Sequence, residues 1–493
     1  MNTIYNDYVE RMQRIADLRY SAGVLQWDQE TYLPPKGAEL RGRQLSTLAE
    51  LSHSMFTDNS LGEILESLKT EDIGELEKAN VSLTTSDYER QKKLPTEFVG
   101  RLSQAVNRSF HKWIEARKAD SFSVFSPYLQ EVVALKRAEA DYIGYEQHPY
   151  DALLQEFDKS STVSELDRVF NSLKGPVKEI LNSVMKQPQV NDAFLKQHFD
   201  RSKQWEFGMT VLKDFGFDFE AGRQDISEHP FTTSFNSRDV RLTTRIDEND
   251  FSNMTWSCIH ELGHGLYEQG LPVEQYGLPL GEAASLTIHE SQSRLWENHI
   301  GRSLAFCRKY LPLLKQLFPQ QFNMIDALQL YKAINKVQPS FIRTEADELT
   351  YHFHVIIRYE LEKALISNEL QTEDIPAYWN EQYKNLLGVE VSLDKIGCLQ
   401  DVHWSHGSFG YFPTYSMGSF YATQFYRSVL GQINATNSDL NTVPILEWLK
   451  QEIHSRGRQF QSDELCMKVT GEKLNIQYFL DYLLDKYRNI YNF

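Results

Sequence analysis

The sequence predicts an all-α protein, mainly helical, carrying one small antiparallel β-hairpin. Three observations support this. Apolar residues recur at helical spacing along most of the 493 residues, capping and proline signals mark several starts, and strand-like alternation is confined to residues 229–246. The first helix is predicted over residues 4–25, with Ile4, Tyr8, Met12, Ile15 and Leu18 on one face. Pro95 opens a second, with Val99, Leu102, Val106, Phe110 and Trp113. Ser126-Pro127 reads as an N-cap followed by proline at the first helical position, and Thr162 to Glu165 as a capping box. Gly175-Pro176 is expected to break or kink that helix. His229–Phe235 and Arg238–Ile246 then form the hairpin around Asn236-Ser237, with Val240, Leu242 and Thr244 alternating against Arg241, Thr243 and Arg245. A buried helix follows over Asn253–Gly270, with Trp256, Ile259, Gly263, Leu266 and Tyr267 at helical spacing and Gly270-Leu271-Pro272 as its stop. Further helical patterns cover 281–300, 343–366, 375–387 and 475–489. Without an internal repeat or linker, residues 1–493 are expected to form a single domain. Its N-terminal helical part covers about 1–225 and its core about 226–430, with Asn434 to Pro444 as a long surface loop.

Composition narrows the function. Hydrophobic content of 41% and aromatic content of 12% suffice for a large core and argue against disorder. A net charge of −17 argues against nucleic acid or an anionic membrane as the main partner. No stretch of eighteen apolar residues suggests a membrane span, and the charged amphipathic start lacks the apolar core of a signal peptide. Cys258, Cys307, Cys398 and Cys466 are widely spaced without a CxxC pair, which suits a reducing cytoplasm. Cys258 reads as core, and the sequon Asn434-Ala435-Thr436 carries no meaning in a cytosolic chain.

His260-Glu261-Leu262-Gly263-His264 carries the chemistry. Residues four apart share a helix face, so both imidazoles can reach one metal ion, and Glu261 lies beside it as a general base and later acid. Gly263 and Gly265 would each weaken an ordinary helix by about 1 kcal/mol, and glycine beside a ligand signals close packing. A catalytic zinc needs a third protein ligand and an open position. Nine of the fourteen histidines fall between His229 and His406, which localises the site. The next helix offers Glu282, His289, Glu290 and Glu297, and the residues by themselves leave Glu290 and His289 close to even.

The ordered blocks resemble the carboxypeptidase Taq (thermostable carboxypeptidase 1) family of zinc metallocarboxypeptidases. They are His229-Pro230-Phe231, Asp239 to Thr243, His260 to His264, His289 to Gln292, Ile342 to Asp347, and Gly397 to Trp404, with weaker similarity at Trp27 to Pro34. The resemblance implies Glu290 as the third ligand. It also implies a saddle-like helical fold with a deep groove, and a homodimer.

The activity expected is release of single C-terminal residues from peptides, with broad specificity. One Zn2+ per chain is expected, with Co2+ a possible substitute. The substrate's free carboxylate calls for a planar arginine fork. Arg343 opens a helical stretch on which Asp347, His354 and Arg358 share its stripe; Asp347 could hold Arg343, while Arg358 reads as a structural ion pair. Asp239, Arg241 and His229 are further substrate-binding candidates, Arg241 being the reserve for the carboxylate, and the hairpin is either plain packing or a substrate-binding edge. The donor-rich run from His403 to Tyr415 offers His403, His406, Tyr411 and Tyr415 to an oxyanion, with Asp401 as an orienter of His403. It resembles the His-and-Tyr loop of oligopeptidases sharing the metal-helix motif, and the His406–Tyr411 spacing fits best. Trp404, Phe409 and Phe412 read as packing. A helical zinc endo-oligopeptidase and a metal-bound peptide-binding module are the rivals. The base Glu261 argues against the second, and the missing Gly-x-Met-Glu-Asn block argues against an aminopeptidase.

Overall fold

The computed structural model describes residues 2–433 and 440–493. It is 71% helical with one three-stranded sheet, as the mainly helical fold class requires. Backbone packing divides the chain into two compact units. The first comprises Met1–Lys92, Asn191–Ile334 and Gln424–Lys473; the second comprises Lys93–Val190, Asn335–Thr423 and Leu474–Phe493. The sequon and most of the loop expected from Asn434 lie outside the described residues, while Thr442, Val443 and Pro444 already belong to the helix Thr442–Glu452.

In the first unit, helix α1 (Thr3–Thr31) starts where the Asn2 side chain accepts the amides of Ile4 and Tyr5. Tyr8, Met12 and Ile15 are buried as their spacing predicts, in a cluster with Phe56, Leu61, Leu65 and Tyr88. Trp27 extends the buried face beyond the expected end at residue 25. The sheet has the order β1-β3-β2, with β1 at Gly222–Ile226, β2 at Thr232–Asn236 and β3 at Asp239–Thr244. The expected hairpin is β2 with β3, pairing Thr232 with Leu242, Thr233 with Arg241 and Ser234 with Val240. It begins at Thr232 rather than His229 because Pro230 has no amide to donate. Strand β1, parallel to β3, is new; its residues carry almost no β propensity, and pairing with β3 makes it a strand. Val240 and Leu242 are fully buried on one face, whereas Arg241 lies on the other, its guanidinium 4.3 Å from the Trp27 ring centroid.

Helix α2 (Phe251–Gln269) is capped by the Asp250 side chain at the Ser252 amide. Helix α3 (Leu286–Arg294) starts five residues later than the 281–300 pattern suggested, because Ser285 caps it through the Ile288 amide; a π-helical turn, Leu295–Gly301, continues it. The backbones of α2 and α3 meet at Gly263, where a Cβ would lie 2.5 Å from Ser293 Cα and 2.6 Å from the Gln292 carbonyl oxygen. That contact brings the two helices into register at the metal-helix motif.

The second unit corrects four expectations. Pro127 lies inside the helix Phe122–Ile143, which begins after Ser121 because Phe122 and Phe125 are drawn into the core. Thr162 does cap the helix Val163–Met185, but Glu165 pairs with Arg168 instead of closing the box. That helix runs through Gly175-Pro176, since Leu173, Val177, Ile180 and Leu181 continue its buried face. Arg343–Glu345 is an isolated 3-10 turn, and helix α4 begins only at Tyr351, running to Ile366. Arg343 therefore does not share a helix with Arg358. Among the described residues, no helix is long and apolar enough to cross a membrane.

Candidate metal centre and active-site residues

Two turns of α2 and one of α3 bring His260, His264 and Glu290 together, with one ligand atom from each lying within 4.8 Å of the others. Glu290 Oε2 stands 3.9 Å from His260 Nε2 and 3.6 Å from His264 Nε2. Two nitrogens and a carboxylate oxygen facing one point suit a divalent transition metal, zinc among them. Burial, with His289 and His260 close beside it, pushes His264 well below the usual histidine range, so its nitrogen lone pair is free for a metal.

Each donor is held from behind. His260 Nδ1 is 2.9 Å from Glu297 Oε2, and Arg294 donates to the second oxygen of Glu290 at 2.7 Å. Burial by itself would raise Glu297, but the hydrogen bond from His260 and the charges of Arg294 and Arg302 hold it far below the carboxylate range. Glu297, one of four candidate ligands, thus sits behind His260 and not among the three converging donors. Glu282 is not on α3 and pairs with Arg458 at 2.8 Å. His289 has both nitrogens engaged, Nδ1 by His264 Nδ1 at 2.5 Å and Nε2 by Glu268 Oε1 at 2.7 Å.

Glu261 projects from α2 beside the triad, and the Thr232 hydroxyl of β2 lies 2.6 Å from its Oε2. Burial raises the Glu261 carboxyl against the lowering effects of His260 and Thr232, which makes it a stronger base than a free carboxylate. One turn-pair further along α2, Ser234 donates to Glu268 Oε2 at 2.6 Å. Thr232 and Ser234 share one strand face, as their spacing of two requires. Neither was legible as a site residue, because hydroxyls on a short strand are common and only packing against α2 gives them carboxylate partners.

In the second unit, Arg343 is buried, with Nε and Nη2 on Asp401 Oδ1 and Nη1 on the Tyr351 hydroxyl. Its guanidinium lies 4.8 Å from the Tyr415 ring centroid. Asp347, expected to hold Arg343, instead accepts the amides of Gln338, Leu349 and Thr350. Asp401 pairs with both Arg343 and Arg358 rather than orienting His403. The fully buried Arg358 is the structural ion pair expected of it. His403 Nε2 is 3.2 Å from the Tyr415 hydroxyl and its ring adjoins Tyr411, whereas the exposed His406 lies tilted against the Phe110 ring, 4.8 Å between centroids. The chain thus brings His403, Tyr411 and Tyr415 together and turns His406 aside. Burial and the charge of Arg343 push His403 down to about 3, leaving it neutral. In the first unit, Arg241 is clasped by Asp239 and stacked on Trp27 and Phe235, and His229 is exposed.

Known proteins resemble this chain over nearly its whole length. The family described as Carboxypeptidase Taq (M32) metallopeptidase matches residues 7–487. Carboxypeptidase 1 of Bacillus subtilis is 37% identical, over 100% of this chain and 99% of its own. Thermostable carboxypeptidase 1 of Thermus thermophilus is 37% identical, over 99% of each. The crystal structure of the M32 carboxypeptidase from Deinococcus radiodurans R1 superimposes with a TM-score of 0.97 at 36% identity, covering 100% of both chains. The chain belongs to the carboxypeptidase Taq (M32) family of metallopeptidases and is a carboxypeptidase, a hydrolase of peptide bonds that works with a metal ion.

Proposed function

We propose that the protein is a zinc carboxypeptidase that releases single C-terminal residues from peptides with broad specificity. It holds one Zn2+ (Co2+ as a substitute) on His260, His264 and Glu290. The observation that carries this reading is the convergence of those three donors beside Glu261. Bound zinc would supply Lewis acidity, polarising the scissile carbonyl and making water a nucleophile near neutral pH. Glu261 takes the proton from the attacking water and delivers it to the leaving amine. Thr232 fixes one oxygen of Glu261 and leaves the other for the water.

Strand β2 offers the substrate an edge. The Thr243 amide donates to the Phe231 carbonyl, so antiparallel alternation turns the main-chain groups of Thr232 and Ser234 away from β3. An extended peptide can add there. Arg343 is the proposed anchor for the free carboxylate, because Arg343 and Arg358 share a single aspartate and leave an excess of positive charge. His403, Tyr411 and Tyr415 are the proposed oxyanion donors, with His406 a weaker candidate. Among the other substrate-binding candidates, Arg241 with Asp239 reads better as a clamp on Trp27, and His229 keeps only an exposed position. The whole chain is taken as one catalytic domain acting as a cytoplasmic homodimer; its four cysteines, buried and not joined in disulfides, suit that compartment.

The test is mass spectrometry of one peptide with a free C-terminus and the same peptide amidated, each with and without a chelator. Stepwise loss of single residues from the free acid only, abolished by chelation and restored by zinc, is expected. Internal cleavage of both would replace this reading with an endo-oligopeptidase. Arg343→Ala should lose the preference for acid over amide; an unchanged preference would move the anchor to Arg241.

A further inference from the structure

The triad leaves one family block only partly used. His289 immediately precedes Glu290 yet lies against a different partner, and every donor and acceptor around it can be assigned. For His260 and His264 to offer Nε2 to a metal, each must carry its proton on Nδ1. His260 Nδ1–H then donates to Glu297 Oε2. His264 Nδ1 faces His289 Nδ1 at 2.5 Å, with the His289 backbone a second hydrogen-bond partner beside it; at that distance only one of the two ring nitrogens can carry a proton. His289 must therefore accept at Nδ1 and carry its proton on Nε2, where Glu268 Oε1 accepts it at 2.7 Å. The remaining oxygen of Glu268 accepts the Ser234 hydroxyl at 2.6 Å. The chain of bonds from β2 to the metal face has one consistent direction.

We infer that His289, Glu268 and Ser234 form a relay that fixes His264 in its metal-binding tautomer. They are positioning residues, acting through His264 rather than touching the metal. The two histidine ligands are thereby held in unlike ways. His260 is backed by a carboxylate shared with two arginines, and His264 by a neutral imidazole that passes on the pull of a second carboxylate. Groups that orient a metal-binding histidine are typically worth 10–100-fold in metal affinity. Ser234 makes strand β2 part of the metal site, although it lies 26 residues before His260 in sequence.

The inference rests on the reading that His260, His264 and Glu290 bind the metal, and the experiment separates the two. Zinc dissociation constants are measured by competition with a chromophoric chelator for the full chain and for His289→Leu, His289→Gln and Ser234→Ala. The visible spectrum of each cobalt-loaded protein is recorded as well. Leucine removes the acceptor and should weaken zinc binding about 10–100-fold and shift the cobalt bands. Glutamine, whose Oε1 can accept His264 Nδ1–H, should recover most of both. Ser234→Ala should weaken zinc about threefold. A His289→Leu protein that binds zinc within twofold of the parent overturns the relay, as does equal weakening by leucine and glutamine. If His289→Leu does not fold, an unchanged affinity in Ser234→Ala overturns it. Failure of the parent protein to bind zinc would instead overturn the ligand assignment beneath it.

Discussion

Replacing Gly263 with alanine tests the packing that assembles the triad. The added methyl would sit 2.5 Å from Ser293 Cα and 2.6 Å from the Gln292 carbonyl oxygen, both backbone, where ordinary contact begins at 3.4 Å. Neither neighbour can swing away, so α2 and α3 must part by about 1 Å, since close-packed interiors transmit such strain. Alanine favours the helix by about 1 kcal/mol. Overpacking costs about 1–3 kcal/mol, so net stability should stay level or fall by up to roughly 2 kcal/mol. The metal site should suffer more. His260 and His264 ride on α2 and Glu290 on α3, and liganding distances tolerate only about 0.2 Å. Zinc affinity should fall at least about 10-fold. Urea unfolding in the presence of chelator gives the first quantity, and zinc competition the second. An alanine variant that is more stable than the parent and binds zinc equally well would refute the argument that Gly263 sets the spacing.

Glu261→Gln should retain zinc while kcat falls at least about 100-fold, because the amide keeps the volume and loses the base; metal analysis with steady-state kinetics checks both. Thr232→Val should lower kcat about 10-fold with zinc content unchanged, the loss of a hydrogen bond to a charged group, and Thr232→Ser should recover it. The fully buried Glu362 of α4 accepts Trp404 Nε1–H, the Gly410 amide and the Tyr150 hydroxyl, and burial pushes its carboxyl up to about 7 from an ordinary 4.5. Its folded value is raised, so the stability it contributes is full below pH 4.5 and is lost as pH rises through 7. The stability difference between parent and Glu362→Gln should therefore change by roughly 3 kcal/mol between pH 4.5 and 8, measured by urea unfolding; a pH-independent difference refutes it.

Local patterns were legible in the sequence because covalent geometry sets them. The 3.6-residue period placed His260 and His264 on one face and predicted the buried stripe of Tyr8, Met12 and Ile15. Alternation in steps of two predicted the β2–β3 hairpin and the inward face of Val240 and Leu242. Local signals misled where burial outweighed them, as at Pro127 and in the break expected at Gly175-Pro176, where the helices continue because their apolar faces do. His289 and Glu290 could not be separated by spacing, because neighbours on a helix point about 100° apart and only the neighbouring helix decides which faces the metal. The approach of α3 at Gly263 turns Glu290 to His260 and His264 and His289 to Glu268. In the same way Arg343 found Asp401, 58 residues away, instead of the nearer Asp347, whose carboxylate is taken up by backbone amides. Periodicity by itself determined the helices and the shared face of His260 and His264; the choice of partner for each polar side chain belonged to the tertiary structure, because buried charges and hydrogen-bonding groups must be paired by whatever packing brings near.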